Sequence, residues 1–365
     1  MDRNTITGFS LIFLILIGYY WYTAPSAEEQ AIFQRQRDSV ARVEAAKVTS
    51  PTPSKLGSAA ISETASPAKD SALLSTIGGF ASQLQGKPGL VQLKSKELSI
   101  DIRTKGGNVG RVVLNNHRRS DSSVLELLSN QVNDNQWAFE LYTANGPLNS
   151  ADFYWNVVSQ TENQVTLRLG DSARYIDQIY SLAADGFTVK YELKLKGIDE
   201  IVKSRNSGIK ITWRAQLQKQ EKDMKWETQN TTVVYRLRGE DADKLDLASP
   251  ASEELKNNLD WFGFKQQYFS VMMVADSGFS SDAKIAWKET KDTNRIKDLN
   301  AVVYVDFERQ PLKSYGFSYY FGPNQFYTMK DAQVGMPNAG LESIIPLGWG
   351  IFGWVNRYAV IPVFH

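Results

Sequence analysis

Cysteine is absent from these 365 residues, and histidine occurs only at His117 and His365. The first absence removes disulfides, thiolate metal sites and a cysteine nucleophile; the second removes a histidine-rich metal centre. An excess of one charge is also lacking, with 41 Lys and Arg against 40 Asp and Glu, a net of +1. No global field draws in nucleic acid or another polyanion. The negative mean hydropathy argues against several membrane spans. No glycine-rich loop between strand and helix cradles a phosphate, since the GGF at 78–80 lies in a polar tether. No cofactor and no metal site is expected.

What is present begins with an uncharged run from Ile6 to Tyr22, ITGFSLIFLILIGYYWY. At about 1.5 Å per residue it reaches about 25 Å, just short of a hydrocarbon core of about 30 Å. Tyr19, Tyr20, Trp21 and Tyr22 cluster at its end, where amphipathic rings prefer the headgroup level. Arg3 before the run and Glu28 and Glu29 after it leave the N-terminus in the cytoplasm and export the rest. A cleaved signal peptide is the alternative, disfavoured by one basic residue and a poor cleavage site at Pro25-Ser26-Ala27. Residues 27–47 suit either a solvated helix or a disordered stalk. Residues 48–85, rich in Ser, Ala, Pro and Thr, are expected to form a flexible tether.

Near Gly89 the pattern changes to period two. In ELSIDIRT, Leu98, Ile100 and Ile102 alternate with Ser99, Asp101 and Arg103, as in a half-buried strand. More than a dozen such segments, separated by turn signals such as Asp185-Gly186, imply a mainly β, antiparallel sandwich. The expected division is an anchor at 1–25, a tether at 26–88, a β-domain at 89–332, and a connector with an apolar segment at 333–365. Asp241 with Asp243 and Glu253 with Glu254 read as solvated loops or exposed helix. His117, between Asn116 and Arg118-Arg119, reads as a solvated turn histidine, with anion binding as the lesser alternative. No catalytic constellation stands out.

The last run, SIIPLGWGIFGWVNRYAVIPVFH from Ser343, is apolar but broken by Pro346, Gly348, Gly350, Gly353 and Pro362. Trp349, Phe352, Trp354 and Tyr358 are spread along it, which suits an amphipathic helix lying in the membrane interface. A span, or burial in the soluble domain, remains open. The order of anchor, tether, β-domain and interfacial segment resembles the N-terminal part of the YidC branch of the Oxa1 family, membrane protein insertases, particularly its Bacteroidetes members. The residues carrying the resemblance are MDRNTITGFSLIFLILIGYYWY at the start, DWFGFKQQYFSVMMV (Asp260 to Val274), YYFGPNQFYTMK (Tyr319 to Lys330) and IPLGWGIFGWVNRYAVIPVF (Ile345 to Phe364). Asn324 departs from the pattern, where many members carry Lys after Gly-Pro.

The resemblance implies a periplasmic β-supersandwich of galactose-mutarotase type and a non-enzymatic role in inserting and folding inner-membrane proteins. It implies as partners the lipid bilayer, nascent membrane proteins and the Sec translocon. The family's groove-forming spans are not in this sequence, which suggests the first 365 residues of a longer protein. Two other functions compete: a membrane-anchored periplasmic scaffold, and a mutarotase-like carbohydrate-binding protein. The latter's chemistry calls for a histidine acid and a carboxylate base in one cleft.

Overall fold

Alternation builds the sheets. In β11 (Ile209–Gln218), Ile209, Ile211, Trp213, Ala215 and Leu217 are buried while Lys210, Thr212, Arg214 and Gln216 face outward. A pleated strand sends successive side chains to opposite faces, so such a sequence covers a core and meets solvent at once. β5 (Asn135–Thr143) and β10 (Thr188–Lys196) follow the same rule.

The computed structural model describes residues 78–143, 146–203, 208–332, 334–335, 339–348 and 355–360. A four-stranded sheet runs in the order β1 (Leu90–Lys94), β2 (Leu98–Arg103), β3 (Val109–Arg118), β4 (Val124–Leu128). A six-stranded sheet runs β14 (Ala251–Leu255), β17 (Ala283–Glu289), β18 (Arg295–Val305), β11, β5, β6 (Gly146–Asn149). The largest sheet has nine strands. They are β13 (Ala242–Lys244), β12 (Thr232–Leu237), β15 (Leu259–Lys265), β16 (Phe269–Phe279), β19 (Leu312–Pro323), β10, β9 (Tyr175–Leu182), β8 (Gln164–Gly170) and β7 (Asn156–Gln160). Their pairings are antiparallel. The expected mainly β supersandwich is what the chain forms.

An aromatic layer joins the six- and nine-stranded sheets. Trp213 on β11 meets Phe264 of β15 at 5.2 Å between ring centroids and Tyr319 of β19 at 5.6 Å. Tyr191 of β10 meets Trp137 of β5 at 5.4 Å, edge to face. Rings fill the space between broad pleated faces with the most buried area per side chain, each contributing about 2 kcal/mol or more relative to exposure.

β15, β16 and β19 are buried on both faces over most of their length, so apolar residues follow one another there instead of alternating. The outer face of these strands and of β12 carries a second core of Val234, Trp261, Met272, Val274 and Tyr320. It is covered by Met329 of the short helix α2 (Phe326–Lys330) and by Ala339 and Leu341 beyond it.

The structure departs from the sequence reading in three places. Gly78–Gln83, placed in the tether by composition, forms a 3-10 turn packed on the domain: Phe80 is buried in the main core. Gln83 donates to the carbonyls of Tyr154 and Arg168 at 3.2 and 3.0 Å and accepts from the Gly170 amide. The acidic pairs lie at strands: Asp243 is in β13 and Glu253 and Glu254 are in β14, each the edge of its sheet. Charged residues on short edge strands discourage pairing with another chain. His117 is on β3, half-buried, edge-on to Phe269 at 5.6 Å and Phe187 at 6.0 Å. Burial lowers its pKa, against the pull of Glu97.

Candidate functional site

Two strands far apart in sequence make the floor of a wide groove. On β11, Lys210 and Thr212 face outward, and register pairs them with Glu140 and Ala138 of β5. The resulting shelf is walled by Arg103, Asn108, Asn130 and Asn135, with the exposed Leu90 and Val132 on its rim. Its volume is about 660 Å³, within the range of specific ligand sites.

Arg103 organises the wall. Its Nη1 donates to the Asn135 carbonyl at 2.9 Å and to Asn108 Oδ1 at 3.2 Å, and its Nη2 to the Ser129 carbonyl at 3.0 Å. Burial lowers its pKa, opposed by Asp134. Beside it, Lys105 donates to the Asp152 carbonyl at 2.6 Å and lies 4.2 Å over the Tyr154 ring. Desolvation lowers its pKa too. Glu140 is the one carboxylate among the described residues lining the groove, and it lies 3.6 Å from Lys210. His117 does not line it. The wall amides are engaged within the protein, Asn108 Nδ2 with the Trp137 carbonyl, Asn135 Nδ2 with the Val109 and Gly110 carbonyls and Asn130 Nδ2 with Asp101, so the polar groups left facing the groove are those of Gln136 and Thr212 on the floor, beside the Lys210–Glu140 pair. The histidine and carboxylate that sugar epimerisation calls for are not gathered there.

The second feature is the strap that follows α2. The Ala339 carbonyl accepts from Trp261 Nε1 at 2.6 Å and from Arg236 Nη1 at 2.8 Å. Gly335 donates its amide to Ser318 Oγ at 2.9 Å, and a Cβ there would stand 1.5 Å from Asp276 Oδ1, so a larger residue would require the exposed Asp276 carboxylate to turn aside. Asn324, the departure noted above, clasps the β15–β16 hairpin. Its Nδ2 donates to the Gln266 and Gln267 carbonyls at 2.9 and 3.3 Å, and its Oδ1 accepts from Ser270 Oγ at 2.6 Å.

Of the residues expected at a membrane interface, Tyr19, Tyr20, Trp21, Tyr22, Trp349, Phe352 and Trp354 lie outside the described residues. Tyr358 is described and is 62 % exposed, with Val355 and Val360 also exposed. The described part of the segment expected as an interfacial helix forms a π-helical turn, Asn356–Val360. Among the described residues no helix is long and apolar enough to cross a membrane. The groove itself escaped sequence reading because its parts are about 70 residues apart; only the outward polar phase of β5 and β11 hinted at it.

Sheet order, aromatic interlayer and strap define the chain as an antiparallel β-supersandwich continued into an apolar C-terminal segment. The sequence model of the YidC periplasmic domain matches residues 90–358, and the chain belongs to that family. Membrane protein insertases YidC from Bacteroides fragilis and Cytophaga hutchinsonii are 31 % and 28 % identical over all of this chain and 58 % of their own length. The chain thus spans little more than half of the curated relatives it matches. Among solved structures, a galactose mutarotase-like protein from Lactobacillus casei aligns with 64 % of this chain and all of its own, at 8 % identity and TM-score 0.43. A putative aldose 1-epimerase from Escherichia coli K12 aligns with 65 % of this chain and all of its own, at 10 % identity and TM-score 0.39. Nothing about ligand or activity follows from these two likenesses.

Proposed function

We propose that this chain carries the anchor and periplasmic domain of a membrane protein insertase and chaperone that inserts and folds proteins of the bacterial inner membrane, acting alone or with the Sec translocon. The observation that carries the reading is the family match over residues 90–358. Residues 1–25 serve as the anchor with a cytoplasmic N-terminus, 26–88 as the tether, 89–332 as the periplasmic domain and 333–365 as the connector and interfacial segment. Tyr19, Tyr20, Trp21 and Tyr22 sit at the headgroups at one end of the anchor; Trp349, Phe352, Trp354 and Tyr358 do so in the last segment.

The domain works without catalysis in this reading. Its groove holds an extended stretch of an emerging membrane protein through hydrogen bonds from the floor residues Gln136 and Thr212 to the main chain, a mode that tolerates many sequences. Glu140 is engaged with Lys210, which leaves no free acid and base pair in the groove.

The test is photocrosslinking from benzoylphenylalanine placed at Gln136 or Thr212. Crosslinks to nascent inner-membrane proteins or Sec components are expected, and adducts to neither would overturn the reading. The same polar floor favours a second reading, binding of a carbohydrate. Saturable millimolar binding of a hexose by calorimetric titration, lost in Gln136→Ala, would establish it instead.

A further inference from the structure

Tryptophan is buried almost everywhere in this domain. Among the described residues Trp226 alone of its type is exposed, at 55 %, while Trp137, Trp155, Trp213, Trp261 and Trp287 are in the cores. It lies on α1 (Met224–Gln229), between strands of different sheets. An indole left in water at a rigid position invites a partner that is apolar on one side and polar on the other.

The position is rigid because α1 is fastened at both ends. Asp223 caps it, its Oδ1 accepting from the Trp226 amide at 3.0 Å. Glu227 is buried and accepts from the amides of Gln220 and Glu221 at 3.0 and 3.1 Å and from Gln266 Nε2 at 3.3 Å. The last bond ties α1 to the tip of the β15–β16 hairpin, where Tyr268 is 51 % exposed. Asp223 and Glu227 are thereby engaged within the protein, and the exposed Lys222 and Lys225 outnumber Glu221, which is half-buried.

The chain leaves the domain at this same end. Ser343, Ile344 and Pro346 share a cavity of about 240 Å³ with Asn230, Thr232 and Lys265. Thr232 opens β12 just after α1 and is paired with Lys265, which closes β15 just before the hairpin tip. Whatever surface receives the apolar residues after Pro346 therefore meets the end that carries Trp226, Tyr268 and the two lysines.

We infer that the α1 and β15–β16 end of the sandwich rests directly on the lipid headgroups of the outer leaflet. Trp226 and Tyr268 enter the interface while Lys222 and Lys225 meet anionic phosphates. Amphipathic rings favour that depth, and cationic side chains near an anionic surface add to the attraction. The inference rests on the membrane placement of the C-terminal segment, and it adds a fixed orientation of the domain above the bilayer.

The absence of cysteine makes the test clean. The full chain, carrying one cysteine-attached fluorophore, is reconstituted in vesicles of phosphatidylethanolamine and phosphatidylglycerol with a headgroup quencher. Labels replace Gln229 or Tyr268 at the docking end, Glu240 at the opposite end of β12, or Tyr358 in the last segment. Quenching at 229, 268 and 358 but not at 240 is expected. Trp226→Ser with Lys222→Glu and Lys225→Glu should reduce quenching at 268 to the level at 240 while leaving 358 quenched. Unquenched 268 beside a quenched 358 overturns the inference alone. An unquenched 358 overturns the membrane placement on which it rests. Equal quenching at 240 and 268 overturns the orientation.

Discussion

The indole of Trp261 and the main chain of Ala339 are joined across 78 residues by a hydrogen bond of 2.6 Å, buried on the outer face of the nine-stranded sheet. Trp261 is fully buried on β15, and Ala339 lies in the strap that leads out of the domain. The strap thus joins the core at Ala339, whose carbonyl satisfies the buried indole.

Breaking this bond should loosen the strap before it loosens the sandwich. Trp261→Phe keeps most of the apolar area and removes the donor, at a cost of about 1 kcal/mol. Trp261→Ala also opens a cavity, at about 3–5 kcal/mol. Hydrogen exchange is the measurement. The amides of Gly335 and Ile345 should exchange faster in Trp261→Phe while those of β10 are unchanged; equal acceleration everywhere would refute a separately fastened strap.

Arg103 is expected to tolerate even lysine poorly. Its fork reaches three acceptors on different segments, and an ammonium on a flexible stem cannot span them at once. Arg103→Lys should cost about 2 kcal/mol and Arg103→Ala about 3 kcal/mol in urea unfolding, since hydrogen bonds from charged donors are the stronger kind. Values below about 0.5 kcal/mol would mean that the groove wall stands without it.

Asn324 gives a graded test of the hairpin clasp. It donates to two carbonyls and accepts from Ser270, whereas lysine has donors only. Asn324→Lys should therefore lose one bond, about 1 kcal/mol, and Asn324→Ala should lose more by orphaning the carbonyls as well. Thermal unfolding of the two variants checks the order; a lysine variant less stable than the alanine one contradicts it.

These contacts also show what a linear reading reaches. Strands such as β10 and β11 were legible because one buried face imposes a period of two on the residues themselves. The edge strands β13 and β14 were not, because an edge is defended by the charges that make it look like a loop. Gly78–Gln83 reads as tether because the partners of Gln83 lie 71 to 87 residues away, and composition carries no distance. The groove is hidden for the same reason: its floor exists only once Lys210 is set beside Glu140. Asn324 was noticed as a departure from a family pattern, yet its role needed the hairpin in place.

Lys297 makes stability depend on pH above neutrality. It is 1 % exposed on β18, its Nζ donating to the carbonyls of Thr231 at 2.7 Å and Leu247 at 3.1 Å and lying 3.4 Å over the Trp287 ring. Desolvation pulls its pKa from 10.5 down to about 8, against the opposing pull of Asp246 and Glu289. Below about pH 8 both folded and unfolded chains hold the proton, and the fold bears the full cost of a buried charge, on the order of 3 kcal/mol. Between about 8 and 10.5 the unfolded chain binds more protons than the folded one, so stability must rise with pH over that window. Lys297→Met has no such proton to lose. The unfolding free energy of the parent minus that of the variant should increase from pH 7 to pH 9.5, read from urea midpoints at constant slope. A difference that stays flat would mean that Lys297 keeps an ordinary pKa, with the ring and two carbonyls compensating its burial in full.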